Sequence, residues 1–111
     1  MKNSEFNQIV QERLRLTGQT LTLKQAEYAD VNDVFRNFKN AGAHLKTTKE
    51  KALWGMAVKH LVSIEDMIEV VAIGRGYEIS PAQVQEKIGD MINYLILLEA
   101  MLTEEANSLP F

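Results

Sequence analysis

Two apolar stripes in the second half of the chain, each spaced in strict four-three alternation, limit what it can fold into. One runs Leu53, Ala57, His60, Ile64, Met67, Val71, and the other Val84, Ile88, Met91, Leu95, Leu98, Leu102. Residues four and three apart share one face of an α-helix, because 3.6 residues make a turn. Two facing stripes joined through Gly74-Arg75-Gly76 predict an antiparallel helical hairpin with coiled-coil-like packing. At about 1.5 Å per residue, each helix would be on the order of 40 Å long. The start signals agree. Thr47-Thr48-Lys49-Glu50 fits a capping box that opens a helix over 47–74, with Thr47 as the cap. Ser80-Pro81-Ala82-Gln83 opens the next, over 80–106, with Ser as N-cap, Pro at the first helical position and Gln at the third.

The first half reads as two more helices. Asn3 and Ser4 can cap a helix within 1–20 that carries Phe6, Ile9, Val10, Leu14 and Leu16 and is expected to stop at Thr17-Gly18-Gln19-Thr20. A second pattern over 21–42 carries Ala26, Val31, Val34, Phe35 and Phe38, and Gly42 is placed to be its C-cap. Ala43 to Lys46 reads as a connection, and 107–111, with the charged Thr103-Glu104-Glu105 before it, as a fraying tail. Only Val70-Val71-Ala72-Ile73 could be a strand, and it continues the helical stripe unbroken. The expectation is an all-α bundle of about four helices in one domain, 1–111; two independent cores would each be too small to hold. Trp54, with Tyr28, Phe35 and Phe38, reads as aromatic core, or alternatively as a base-stacking pocket.

Composition removes several function classes. A net charge of −3 provides no general pull toward nucleic-acid backbone or anionic lipid. With no cysteine there is no disulfide framework, no thiolate nucleophile and no Cys-based zinc site. Residues 1–20 are too polar for a signal peptide, and the longest apolar run, Tyr94 to Leu98, is far too short to span a bilayer. A cytoplasmic protein with no membrane partner is expected.

Chemistry in such a bundle falls to polar residues beside the stripes. Glu86, Asp90 and Asn93 share one face of the last helix; Lys59, Ser63 and Asp66 form a strip on the third, with Glu65 and Glu69 alongside; Asp30, Asp33 and Asn37 share a face of the second. Carboxylates one turn apart on one helix, facing others across the bundle, can hold Mg²⁺, which takes one or two carboxylates plus substrate phosphates. Such an ion would polarise a phosphoryl oxygen and activate a water. The same pairs also occur on solvated helix faces, and His60, at a stripe position, can equally be a core or boundary residue. Lys24, Lys59 and Arg75 could meet phosphates or simply face water. There is no Gly-rich phosphate loop and no histidine-rich metal motif.

Three segments in order resemble a known family. Lys24-Gln25-Ala26-Glu27-Tyr28-Ala29-Asp30 with Phe35-Arg36-Asn37-Phe38 resembles the "K-x-x-D-Y…N-F" opening of the nucleotide modification associated domains of phage and bacteria. Gly55 to His60, running into Ser63 to Met67, is similar to their middle helix, and Glu86-Lys87-Ile88-Gly89-Asp90-Met91-Ile92-Asn93-Tyr94 to their closing "E-x-x-x-D-x-x-N-Y". The resemblance spans roughly 20–103 and looks distantly like the MazG-type all-α nucleoside triphosphate pyrophosphatases, which cleave between the α- and β-phosphates with Mg²⁺. It implies that Glu86 and Asp90 are metal ligands and catalytic, with Asp66 or Glu65 opposite. It also implies that Lys59 contacts phosphate and that Lys24, Tyr28 and Asn37 line the nucleotide pocket; His60 and Asn93 are further candidate substrate-binding residues. The chain departs from these patterns in three places, two in the MazG acidic pairs and one in the K-x-x-D-Y opening. Asp66 and Glu69 stand for E-x-x-E, Lys87 falls where the glutamate of E-x-x-D belongs, and Glu27 replaces the Asp of D-Y.

Three functions are therefore expected to compete. The first is a Mg²⁺-dependent nucleotide binder or pyrophosphohydrolase working as a homodimer. The second is a phage accessory protein that docks a protein partner, and the third a ligand-free structural oligomer.

Overall fold

A computed structural model describes residues 1–27 and 33–109, and among these every regular element is helical. Four α-helices occur: α1, Asn3–Glu27; α2, Arg36–Leu45; α3, Lys49–Ala72; and α4, Pro81–Ala106, with a short 3-10 turn at Gly76–Glu78 before α4. The all-α expectation holds. The chain divides into two compact units, Met1–Val34 and Phe35–Phe111.

In the first unit α1 is one continuous 25-residue helix that buries none of its residues. The expected stop at Thr17 to Thr20 does not occur. A lone Gly costs a helix only about 1 kcal/mol, and Thr22 donates its hydroxyl back to the Gly18 carbonyl at 2.8 Å, a bond that suits a helix interior. Glu12 and Arg15, one turn apart, pair on the surface. Leu21 to Glu27, expected in a second helix, thus belong to the first. Tyr28, Asp30 and Val31 lie outside the described residues.

In the second unit α3 packs along α4, and α2 packs on α3. Antiparallel order is visible in two pairs: Lys49 at the start of α3 meets Glu105 at the end of α4, and His60 meets Asp90. The core is Phe35, Phe38, Ala52, Leu53, Ala57, Met67, Leu97 and Met101, with Leu53 and Met101 fully enclosed. Trp54, expected in an aromatic core, is 44% exposed, about 100° around α3 from the enclosed Leu53.

The two turns of this unit share one device. At the end of α3 the Gly74 amide bonds Val71 and the Arg75 amide bonds Val70, with Gly74 at φ 78. This is the paired-bond terminator that needs a left-handed residue. At the end of α2 the Lys46 amide bonds Ala43 and the Thr47 amide bonds Gly42, and the left-handed residue is Lys46, φ 56. Gly42 is therefore not the cap that the sequence suggests, and α2 runs on through Ala43 to Leu45. Gly42 is buried for another reason: a Cβ there would lie 2.9 Å from the Thr47 carbonyl. Cap assignments shift likewise. Thr48, not Thr47, caps α3, its Oγ1 accepting from the Lys51 amide at 3.1 Å, because the Thr47 amide is already committed to ending α2. Ser80 caps α4 as expected, accepting from Gln83 at 3.0 Å with Pro81 following.

The face that α4 turns to α3 differs from the expected stripe. Its buried positions are Gly89, Leu97 and Met101. Val84, Leu95 and Leu102 of the regular stripe are 42%, 46% and 53% exposed. On α3 the stripe does face inward through Leu53, Ala57 and Met67, but Val71 at its end is exposed. α4 continues to Ala106, where the sequence reading ended it, and Glu105 is tied to Lys49.

Candidate functional site

On the side of α4 that meets α3 lie Asp90 and Asn93, both partly buried, while Glu86 one turn earlier is exposed. At the centre of the hairpin, His60 Nδ1 stands 3.4 Å from Asp90 Oδ2. The imidazole also lies over the Tyr94 ring at 5.4 Å between centroids, and Phe38 of α2 meets the opposite part of that ring edge-on at 6.4 Å. Three helices thus meet at a mixed aromatic and polar cluster. Phe38 is buried and Tyr94 half-buried; the Asp90 side chain is 40% exposed and that of His60 21%. Asp90 reaches solvent with His60 behind it.

Two atoms of this cluster are enclosed without a hydrogen bond among the described residues: His60 Nδ1 and Asn93 Oδ1. An enclosed polar atom left unpaired costs roughly 1–3 kcal/mol, so such atoms persist where packing or a ligand compensates. Burial, reinforced by the negative charge of Asp90, raises the Tyr94 phenol above its ordinary range, so its hydroxyl stays protonated and available as a donor.

Of the residues singled out by sequence, His60, Asp90 and Asn93 are brought together. Glu86 lies one turn before Asp90 on the same helix and is exposed. Asp66 and Glu65 are not brought to them. Both are exposed, because positions five and six beyond His60 fall well over 90° around the helix from it. Lys59 is exposed and points about 100° away from its neighbour His60. Asn37 is exposed on α2, Lys24 belongs to the first unit, and Tyr28 lies outside the described residues. Among the described residues no three His, Asp or Glu side chains gather as a preformed metal site. Arg75, a possible phosphate contact, instead donates from Nε and Nη2 to Glu78 at 2.9 and 2.6 Å.

Sequence reasoning missed two participants. Tyr94 was read as the edge of an apolar run and as the end of the closing motif but given no role, although it follows Asp90 by four residues and so shares its face. Lys49 carried no signal. Its ammonium lies 2.7 Å from Glu50 and 2.8 Å from Glu105, and hydrogen bonds to Glu105 and then Glu50 raise its pKa.

No protein-family model, no curated protein and no solved structure matches this chain. Among the described residues no helix is long and apolar enough to cross a membrane.

Proposed function

We propose that this chain binds nucleoside triphosphates with Mg²⁺ on the α3–α4 face around Asp90. It would act as a homodimer in cytoplasmic, phage- or prophage-type nucleotide metabolism, in the manner of the small all-α pyrophosphohydrolases its motifs resemble. The observation that carries the reading is the cluster of His60, Asp90, Asn93 and Tyr94, whose enclosed Nδ1 and Oδ1 lack hydrogen-bond partners. Three of these four, His60, Asp90 and Asn93, are candidate site residues from the sequence, and Asp90 is a metal ligand in the resemblance.

The carboxylates suit a metal that arrives with its substrate. Asp90 and Glu86, one turn apart and open to solvent, give Mg²⁺ two protein ligands, and triphosphate oxygens and water complete its shell. The ion would supply charge neutralisation at the phosphates. The chain's own residues would supply the rest: His60, 3.4 Å from Asp90, would hold that carboxylate in place, and Tyr94, edge-on to Phe38, packs beside it.

The test is thermal melting with a panel of ribo- and deoxyribonucleoside triphosphates, with and without Mg²⁺. The expected result is a rise with triphosphate plus Mg²⁺, little change with Mg²⁺ alone, and loss of the rise in Asp90→Asn. Ligand at 100 times its Kd would add about 2.7 kcal/mol. No rise with any nucleotide at millimolar concentration would overturn the proposal, whereas a rise would direct an assay to pyrophosphate release.

A further inference from the structure

The net negative charge conceals a segregation within the second unit. From Phe35 to Lys49 the chain carries Arg36, Lys39, Lys46 and Lys49 and no acidic residue, whereas Glu50 to Phe111 carries four basic and ten acidic residues. Lys49 is committed to Glu50 and Glu105. The other three belong to α2 and the turn that follows it. α2 buries Phe38 and Gly42. The positions turned away from these, Arg36, Lys39, Asn40 and Ala43, fall at i, i+3, i+4 and i+7 and are exposed, with the exposed His44 beside them. Lys46, also exposed, comes directly after the helix. α2 breaks a local rule as well. Its first turn holds no acidic residue and its N-cap makes no side-chain hydrogen bond, and Arg36 stands at the positive end of the helix, where a carboxylate is favoured. The cation and the helix end add their potentials there, which suits an external anion.

We infer that the outer face of α2, with Lys46, binds the phosphate backbone of a nucleic acid without reading its sequence. The residues between the cations select this class of partner. A protein–protein interface centres on apolar and aromatic side chains, and here only Asn40, Ala43 and His44 stand between Arg36, Lys39 and Lys46 on the outward side. Phosphate contacts need only cations and polar donors. The overall charge of −3 does not oppose this. Salt at 0.1 M screens exposed charges beyond about 10 Å, so a local patch acts on a polyanion against an opposite net charge. The inference goes beyond the nucleotide site around Asp90 and does not depend on it.

The experiment is fluorescence anisotropy of a labelled oligonucleotide, single-stranded and as a duplex, titrated with the full chain at low salt without Mg²⁺. The expected result is saturable binding that weakens about 40-fold on the duplex between 50 and 200 mM salt, the dependence of three phosphate contacts. Arg36→Ala and Lys46→Gly should each weaken binding several-fold and lower the salt slope by about 1. Lys46→Gly suits the left-handed backbone at that position, so it keeps the test valid should Arg36→Ala fail to fold. Lys87→Ala, the same loss of charge on α4, should leave binding nearly unchanged, and Asp90→Asn should not weaken it. Absence of binding at low salt, binding indifferent to both α2 variants, or equal weakening by Lys87→Ala would each overturn the inference. So would tighter binding of labelled polyglutamate than of either oligonucleotide, which is the mark of an acidic protein partner. With no Mg²⁺ and no triphosphate present, these failures are distinguishable from a failure of nucleotide binding.

Discussion

His60 Nδ1 and Asp90 Oδ2 face each other at 3.4 Å across the middle of the hairpin, without the geometry of a hydrogen bond. Asp90 also acts on Tyr94, whose phenol is raised first by burial and then by that carboxylate. Asp90→Asn removes the charge and leaves the burial. The Tyr94 titration midpoint should therefore fall part of the way to its ordinary value, read by ultraviolet absorbance against a Tyr94→Phe control. No change on Asp90→Asn would mean that burial alone sets it.

Lys49 closes the open end of the same hairpin between Glu50 and Glu105. Its raised pKa means that the ion pair contributes stability below the ordinary lysine range, which is lost as pH rises beyond it. The Glu50 carboxyl is lowered, chiefly by its hydrogen bond with Lys49, so its contribution is present above the usual glutamate value and fades as pH falls below it. Glu105 is more than half exposed, which limits the effect. Lys49→Met should cost about 1 kcal/mol near neutral pH and flatten the acid limb of the stability profile, as measured by urea unfolding from pH 3 to 7.

Two glycines should respond oppositely to alanine. Gly55 lies inside α3 with nothing within 4 Å of a built Cβ, so Gly55→Ala should stabilise by about 1 kcal/mol through helix propensity alone. Gly42→Ala should destabilise by roughly 1–3 kcal/mol, because its Cβ would press on the Thr47 and Thr48 backbone. Equal effects in chemical denaturation would contradict the tight α2–α3 turn.

The left-handed residues offer a second opposed pair. Lys46→Gly should stabilise by roughly 0.5–1 kcal/mol by relieving a β-carbon at positive φ. Gly74→Ala should destabilise by roughly 1–2 kcal/mol at the matching position after α3. Melting temperatures of the two variants should move in opposite directions.

The helical class and the hairpin were legible because capping and spacing agree: Ser80-Pro81 starts α4 and Gly74 ends α3, as their local chemistry dictates. The end of α2 was not legible, because the left-handed position carries Lys46 while a glycine sits four residues earlier for a packing reason. The inner face of α4 was hidden in the same way. It is built from Gly89, Asn93, Tyr94, Leu97 and Met101, which look less apolar than the outward heptad, so the stronger pattern marked the wrong side. At the site, spacing sufficed to place Asp90 and Asn93 on one face. It could not tell that Asp66 and Glu65 point away from His60, since that depends on which face of α3 is buried.

The most direct test of the central claim uses the two histidines, one exposed on α2 and one in the cluster. Imidazole resonances of His44 and His60 would be followed by NMR as a nucleoside triphosphate with Mg²⁺ is added, with the Asn93 side-chain amide observed in parallel. The account predicts saturable shifts at His60 and Asn93, with His44 unchanged, and their loss in Asp90→Asn. An unmoved His60 at millimolar triphosphate, or shifts confined to His44, would contradict it.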